Sequence, residues 1–283
     1  MSPRVGAWTL VGNSGQSERA PSGALDARRV LPQSAISDPP LLRIGTAGWA
    51  IPRISTESFP AQGSGLQRYA SVFNGTELNT TFYRSHREAT YARWSESTGP
   101  KFQFAVKIPK AITHEARLTD AHGSLESFLA ETAHLGRKRG PLLVQLPRSL
   151  PFDVRVADRF FDDVRRRHAG PVVCEPRHPS WFDPEAETLL AAYSVARAAA
   201  DPPPHPLAGT PGGWPSLAYW RLHGSPRIYF GPYGESQIAS IAENIRDSSA
   251  VEKWCIFDNT ASGAATADAL TVRNAFLNPL PKF

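Results

Sequence analysis

Cysteine is scarce in this 283-residue chain, and long apolar runs are absent. The two cysteines, Cys174 and Cys255, fall in separate apolar segments. This favours reduced core thiols over a disulfide and excludes a cysteine-ligated zinc site. No segment approaches the roughly 18 apolar residues that span a bilayer, and no apolar core of signal-peptide length follows a basic start. We therefore expect a soluble, cytoplasmic protein with no membrane partner.

Residues 1–40 differ in composition from the rest of the chain. They are rich in Ser, Pro, Gly and Ala, lack a periodic apolar pattern and end at Asp38-Pro39-Pro40. A segment of this kind cannot bury enough apolar surface to fix a fold. The sequence therefore predicts a disordered tail over 1–40 and one domain over 41–283, which is long enough to bury a full core.

Apolar runs of strand length alternate with amphipathic stretches from residue 43 onward. Strands are predicted at 43–49, 76–83, 102–109, 142–147, 172–178, 195–201, 218–224 and 254–260. Helices are predicted at 66–73, 88–97, 124–136, 154–168, 185–194, 236–247 and 263–276. This alternation favours a single α/β domain of the (β/α)₈ TIM-barrel type. Only a Pro- and Gly-rich stretch separates the sixth and seventh strands, so the sixth helix is predicted to be missing or replaced by a loop.

Polar residues recur near the carboxyl ends of these strands and share one side-chain direction. Side chains alternate across a strand, so residues of one parity face the same side of the sheet. The polar parity contains Glu77, Asn79, Lys107, Gln145, Glu175, Arg177, Arg221, His223 and Asp258. The opposite parity is apolar and includes Leu78, Val106, Val144, Cys174, Leu222 and Phe257. Because barrel enzymes place their chemistry at these strand ends, we expect the polar residues to converge on one site.

A series of segments in chain order resembles a known family. They are GTAGW (45–49), ELNTTFYR (77–84), ARWSEST (92–98), FAVKIPKAITH (104–114), LLVQLP (142–147), CEPRHPSW (174–181), YWRLHGSPRIYFGPY (219–233) and FDNTASGAATADAL (257–270). Together they resemble the YecE-like family, also called domain of unknown function 72, over about residues 42–275. The resemblance implies a TIM-type barrel and no settled reaction. It adds His114, His178 and Asn259 to the positions expected to matter.

Some members of that family carry additional cysteines proposed to hold an iron–sulfur cluster. This chain lacks them, so no cofactor is predicted. A divalent metal stays an alternative, because Glu77, Glu175, His178, His223 and Asp258 include suitable ligand types. The cations Lys107, Arg177 and Arg221 in the same space argue against it, since they would repel a dication.

The polar set is suited to the acid–base chemistry of a hydrolase or isomerase that acts on a polar small molecule, such as a phosphorylated one. In the catalytic group, Glu77 or Glu175 would act as general base and Lys107 or His223 as proton donor, with Asp258 beside them. The residues predicted to bind substrate are Asn79, Tyr83, His114, Gln145, Arg177, His178, Trp181, Arg221 and Asn259.

Three features indicate that this substrate is anionic or sugar-like. Arg177 and Arg221 are predicted to clamp a carboxylate or phosphate, and the turn 260–263 before the last helix is predicted to hold phosphate. Aromatic residues predicted at the rim offer flat faces to a sugar ring or a base. They are Trp49, Tyr83, Trp181, Tyr229 and Tyr233.

Two alternatives to a small-molecule enzyme stay open. The charged residues could form a self-satisfying ion-pair network that only supports the fold, because buried charges must be paired. The protein could instead bind or process nucleic acid, in the manner of barrel apurinic endonucleases. A basic groove for that purpose would use Lys107, Lys110, Arg84, Arg87 and Arg227. The net charge of +5 does not decide between them.

Overall fold

The structure is a computed structural model that describes residues 41–277. The predicted tail over 1–40 lies outside the described residues, as do residues 278–283. The strands are β1 (Leu41–Thr46), β2 (Gly75–Leu78), β3 (Gln103–Lys107), β4 (Arg139–Gln145), β5 (Val172–Glu175), β6 (Val195–Arg197), β7 (Ala199–Asp201), β8 (Gly212–Gly213), β9 (Leu217–Leu222) and β10 (Glu252–Phe257). The α-helices are α1 (Gly65–Ala70), α2 (Glu88–Glu96), α3 (His122–Thr132), α4 (Val154–Arg167), α5 (Pro184–Ala192), α6 (Glu235–Asp247) and α7 (Ala264–Leu277).

The strands form two hydrogen-bonded sheets, in the orders β1-β10-β9-β7 and β2-β3-β4-β5-β6-β8. All pairings are parallel except that of β8, which runs antiparallel to β6. A parallel bridge between Ala47 and Glu77 connects β1 with β2, and Gly48 N–H donates to the Glu77 carbonyl at 2.9 Å. The predicted α/β fold with a parallel sheet is confirmed, and its strand order is that of a TIM-type barrel.

The predicted sixth strand is interrupted at Ala198, which separates β6 from β7. The Ala198 N–H continues the pairing with β5 by donating to the Cys174 carbonyl at 2.8 Å, whereas β7 pairs with β9. Between β7 and β9 the chain forms only a short 3₁₀ turn, Pro206–Gly209, and β8. The prediction that no sixth helix would follow this strand is therefore confirmed.

The two faces of the strands pack into separate apolar clusters, as the residue parity predicts. The face toward the helices contributes Leu78, Val106, Val144, Cys174, Leu222 and Phe257 to one cluster. The opposite face contributes a second cluster that draws on both sheets: Ala105, Leu143, Val173, Ala196, Tyr219, Trp254 and Ile256. Within it the rings of Tyr219 and Trp254 stack 5.9 Å apart. The polar residues of the same parity lie on the same face of the strands as this inner cluster, toward the carboxyl ends.

Two basic triplets, Arg137-Lys138-Arg139 and Arg165-Arg166-Arg167, lie at helix ends, and a residue of each has backbone partners. The Arg165 guanidinium donates to the carbonyls of Tyr193, Ser194 and Gly170, at 2.6–2.8 Å. Lys138 Nζ donates to the Thr98 carbonyl at 2.6 Å. Arg165 and Lys138 therefore satisfy carbonyl groups at chain turns. Separately, none of the helices within 41–277 has both the length and the apolar character needed to cross a membrane.

Candidate functional site

Arg221, near the end of β9, is the centre of the polar cluster. Its guanidinium is fully buried and contacts three carboxylates. Nε and Nη2 donate to Glu77 at 2.9 and 2.6 Å, Nη1 donates to Glu175, and Nη2 also donates to Asp258 at 3.0 Å. All three donor nitrogens are thereby occupied within the chain. This geometry differs from the predicted anion clamp, because four of the five N–H groups of the fully buried Arg221 already donate to carboxylates.

His223 bridges two of the same carboxylates. Nδ1 lies 3.1 Å from Asp258 Oδ2, and Nε2 lies 3.2 Å from Glu175 Oε1. Burial alone would lower the pKa of His223, but the hydrogen bonds with Asp258 and Glu175 outweigh it and raise the pKa. An imidazolium that donates from both nitrogens fits this position. His223 therefore belongs to the ion-pair network and is a poor proton donor to a ligand.

Glu175 accepts hydrogen bonds from three side chains. Besides Arg221 and His223, Arg177 donates to its Oε1 from Nε and Nη2, at 3.2 and 3.0 Å. Burial would raise the pKa of Glu175, but the charges of Arg221 and Arg177 and the His223 hydrogen bond outweigh it and hold the pKa well below its usual range. Glu175 is therefore ionised at neutral pH and ill suited to act as the predicted general base.

Glu77 on β2 and Asp258, directly after β10, complete the network. Glu77 is fully buried and also accepts a hydrogen bond from the Tyr219 hydroxyl at 3.0 Å. Asp258 Oδ1 accepts from Asn79 Nδ2 at 3.4 Å. Burial opposes ionisation of Asp258, but Arg221 and the His223 hydrogen bond dominate and lower its pKa. Tyr219 was missed by sequence reasoning, although it stands two residues before Arg221 and so shares its parity.

Lys107, the last residue of β3, differs from every other cation of the cluster. It is only 7% exposed, yet among the described residues its Nζ makes no hydrogen bond and no ion pair. The ammonium lies over the Phe82 ring, 4.1 Å from the centroid. Burial and, next, repulsion by Arg221 lower the pKa of Lys107 to about 8, against the opposing pull of the carboxylates. The cluster thus contains one largely buried lysine whose Nζ has no protein partner among the described residues.

Two further polar side chains accompany Lys107. Gln145 lies on the adjacent strand β4, two residues beyond Leu143, which pairs with Lys107. Gln145 is only 6% exposed, and its side-chain amide has no hydrogen-bond partner within residues 41–277. His114 packs edge-on against Phe82, with ring centroids 5.0 Å apart. Burial, followed by the charges of Lys107 and Arg177, lowers the pKa of His114, so it is neutral at pH 7.

The segment Gly224–Gly234 after β9 lies next to His223. Tyr229 in this segment packs its ring edge-on against His223 at 5.7 Å, with its backbone in the left-handed region. The Tyr229 carbonyl accepts from the Ala261 N–H at 3.0 Å, and Gly263 N–H donates to the Thr260 carbonyl at 3.0 Å. Because the Ala261 and Gly263 amides have partners within the chain, they are not available to the phosphate predicted at this turn.

Four other residues predicted to bind substrate have different surroundings. Trp181 is 1% exposed and its Nε1 donates to the Leu150 carbonyl at 3.0 Å, so its ring packs in the core and is not at the rim. Asn259 is fully buried and donates to the Asp268 carboxylate at 2.7 Å, which ties the segment 224–234 to α7. His178 caps a short turn by accepting from the Ser180 N–H. Tyr83 is exposed, with its ring edge against Phe82.

The predicted rim aromatics and basic groove have mixed surroundings. Trp49 is half-buried against Trp94, and Tyr233 is buried with its hydroxyl bound to the Gly224 N–H. Of the groove residues, Lys110 is ion-paired with Glu115 at 3.1 Å. Glu115 and Glu131 line the same surface depression as Arg84 and Lys110. The potential there is therefore of mixed sign.

The carboxylates are arranged around a guanidinium. Glu77, Glu175 and Asp258 all converge on Arg221, whose positive charge stands where a dication would need to bind. Within residues 41–277, no group of three or more His, Cys, Asp or Glu side chains is arranged to hold a metal ion. The donor set at this site therefore does not fit a divalent metal.

Comparison of this sequence with known proteins identifies relatives of the chain. A family model described as "Protein of unknown function DUF72" matches residues 43–280. The curated protein UPF0759 protein YecE of Escherichia coli strain K12 is 29% identical over 143 residues, which is 50% of each sequence. The alignment therefore spans about half the length of that relative.

Solved structures of the same family share the fold. A DUF72 family protein from Enterococcus faecalis superimposes with a TM-score of 0.71 at 20% identity, covering 86% of this chain and 99% of its own. A DUF72 family protein from Thermotoga maritima gives a TM-score of 0.70 at 23% identity, covering 84% and 100%. At this identity the likeness concerns the fold alone. The family model, which covers most of the chain, shows that this protein belongs to the DUF72 family.

Proposed function

We propose that this site binds a small anionic molecule and transfers protons to or from it, with Lys107 as the catalytic residue. The proposal rests on one observation: the Lys107 side chain is only 7% exposed beside the network, yet its Nζ has no hydrogen-bond or ion-pair partner among the described residues. Burying an unpaired charge is costly, and stability alone does not explain it. A bound anion would supply the missing partner.

The charges of the site support an anionic ligand. Four cations, namely Lys107, Arg177, Arg221 and protonated His223, stand against the carboxylates of Glu77, Glu175 and Asp258. The cluster therefore carries one excess positive charge when Lys107 is protonated. Lys107 and the part-exposed Arg177 would attract the anion, and the free amide of Gln145 would orient it.

The pKa values favour Lys107 over the carboxylates as the group that exchanges protons. A general acid or base works best when its pKa lies near the working pH. Lys107, with a pKa of about 8, meets that condition, whereas the lowered pKa values of Glu175 and Asp258 keep both ionised. In this proposal Glu77, Glu175, Asp258, His223 and Arg221 form the rigid charged frame around Lys107.

Binding of inorganic phosphate and of sugar phosphates tests the proposal. Lys107 is protonated below pH 8, so affinity measured by calorimetry should be full near pH 6.5 and fall as the pH rises through about 8. Lys107→Met should weaken binding by about tenfold or more, the value of a charge-assisted hydrogen bond. Lys110→Met is the matched control, because Lys110 is already paired with Glu115. Equal affinities for the wild type and Lys107→Met would contradict the proposal.

Lys107→Met should also make the ligand-free protein more stable. The lowered pKa of Lys107 means that the folded state disfavours its ammonium. This penalty is present in full below pH 8 and disappears as the pH rises toward 10.5, where the unfolded lysine also loses its proton. The wild type should therefore gain stability over that interval, and the Met variant should not. Denaturant unfolding at pH 7 and at pH 10 measures both effects; a variant less stable than the wild type at pH 7 would indicate a structural Lys107.

Nucleic-acid oligomers form a second arm of the binding experiment. If the protein acts on nucleic acid, single- and double-stranded oligomers should bind with an affinity that falls steeply with salt. Lys107→Met and Lys110→Met should then weaken binding alike, because both would contact phosphates along a groove. The ion pair of Lys110 with Glu115 argues against that outcome.

A further inference from the structure

We propose that the Lys107 amine condenses with the carbonyl group of a small anionic aldehyde or ketone and holds it as a Schiff base. This inference rests on the proposed function, because it uses the same ligand site and assigns the class of substrate. It goes further by making Lys107 a nucleophile and not only a proton carrier.

The surroundings of Nζ suit a nucleophilic amine. A lysine becomes nucleophilic at neutral pH when it is desolvated or lies near another cation. Lys107 meets both conditions, because it is buried against the Phe82 ring and lies near Arg221. No acceptor among the described residues engages its nitrogen, so the lone pair of the neutral amine is free to attack.

Lys253 shows that burial alone does not produce this state. It is 4% exposed, close to the 7% of Lys107. Its Nζ, however, donates to the Ile245 carbonyl at 2.7 Å, at the end of α6. That lysine is held as a hydrogen-bond donor to a helix terminus, whereas Lys107 is held beside carboxylates without touching them.

The reaction balances with the groups present. Neutral His114, which packs edge-on against the same Phe82 ring as Lys107, takes one proton from the Lys107 ammonium. The free amine attacks the carbonyl carbon and forms a C–N bond, and a second Nζ proton passes to the carbonyl oxygen to give a carbinolamine. The proton held by His114 returns to the hydroxyl, the C–O bond breaks, and water leaves; the protonated Schiff base keeps the third Nζ proton. Addition of water reverses the sequence and regenerates Lys107. The unpartnered Gln145 amide can donate a hydrogen bond to the departing oxygen.

The network stabilises the cationic product. Glu77, Glu175 and Asp258 each favour positive charge at Nζ. An iminium ion retains that charge after condensation, so the same carboxylates stabilise it. Arg177, the part-exposed cation of the cluster, would attract the anionic group of the substrate.

Borohydride trapping followed by peptide mapping tests the inference. Dihydroxyacetone phosphate and pyruvate are the probes, with neutral dihydroxyacetone for comparison. Hydride reduction converts the iminium into a stable secondary amine, which adds the carbon skeleton of the probe to the lysine. The chain has only six lysines, so each site can be quantified. Lys253 is the internal control for burial, and Lys110, half exposed, is the control for accessibility.

Labelling should concentrate on Lys107 and rise with pH up to about 8. With a pKa near 8, the free-amine fraction at pH 7 is about 200-fold that of an ordinary exposed lysine. Labelling of Lys107 should therefore be about two orders of magnitude above that of an ordinary exposed lysine and stronger than that of Lys110 and of Lys253, whose Nζ donates to the Ile245 carbonyl, and Lys107→Met should lose it. Labelling that follows exposure, or absence of label on Lys107 with both anionic probes, would overturn the inference. If Lys107 is not labelled but phosphate still binds, the Schiff base is refuted and the proposed function stands. If Lys107 is labelled but phosphate does not bind, only the proposed function is contradicted.

Discussion

Replacing Arg221 with methionine should destabilise the protein by about 3–5 kcal/mol, the cost of removing one partner from a buried ion pair. Arg221 is fully buried and neutralises Glu77, Glu175 and Asp258 at once. Without it, these carboxylates lose their common donor and must be protonated or rearranged. Urea unfolding at pH 7, followed by circular dichroism, measures the loss.

The pH dependence of the Arg221→Met variant should identify the cause. In the wild type, the lowered pKa values of Glu175 and Asp258 contribute stability above pH 4 that is lost as the pH falls through their folded values. The raised pKa of His223 contributes stability below pH 6.5 that is lost as the pH rises. The variant should lose the carboxylate contribution and become relatively more stable toward pH 5. Arg177→Met is the matched control, with a smaller loss because Glu175 keeps Arg221 and His223; equal losses in both variants would refute the central role of Arg221.

Gly45→Ala should also destabilise the protein strongly, by about 3 kcal/mol or more, at the upper end of overpacking costs. A Cβ atom at Gly45 would lie 2.0 Å from the Gly75 carbonyl oxygen and 2.9 Å from the Tyr69 hydroxyl. Both neighbours are fixed, since the Tyr69 hydroxyl also accepts from the Thr46 N–H at 2.7 Å. The substitution would therefore push β1 away from β2, the strand that carries Glu77.

The Gly45 result can be separated from a general effect of adding a methyl group. Gly123 lies in α3 with open space around its Cβ position. Gly123→Ala should stabilise the protein by roughly 0.5–1 kcal/mol, because alanine favours a helix. Thermal unfolding of both variants compares the two. A Gly45→Ala variant with wild-type stability would show that β1 and β2 do not approach as closely as described.

Residue parity predicted a large part of the site. Alternation along a strand depends only on the extended backbone, so polar residues such as Lys107 and Glu175 could be assigned to one face from the sequence. The apolar residues of the other parity, including Cys174 and Phe257, are in the cluster that faces the helices. The interruption of the sixth strand at Ala198 was not predicted, because the run 195–201 has no Gly or Pro to mark it.

Parity could not predict which charged groups would pair. Each nitrogen of Arg221 donates to one or more of three carboxylates. This pairing depends on distances across the site, which the sequence pattern does not give. The residues just beyond the strands were the hardest to predict, because loop geometry sets their burial. Trp181 and Asn259 turned out to be buried, and His114 stands on a single irregular helical turn, Ala111–Glu115, that has no periodic signal.

The most direct test of the role of Lys107 is the titration of its own ammonium group. Nuclear magnetic resonance of selectively ¹³C-labelled lysine, assigned by comparison with Lys107→Met, would follow each of the six lysines from pH 6 to 11. Lys107 should titrate near pH 8, well below the ordinary lysine value of roughly 10.4. Phosphate should raise the midpoint of Lys107, because an anion favours its protonated form. A Lys107 midpoint near 10.4 that phosphate does not move would contradict both the lowered pKa of Lys107 and its proposed role in binding an anion.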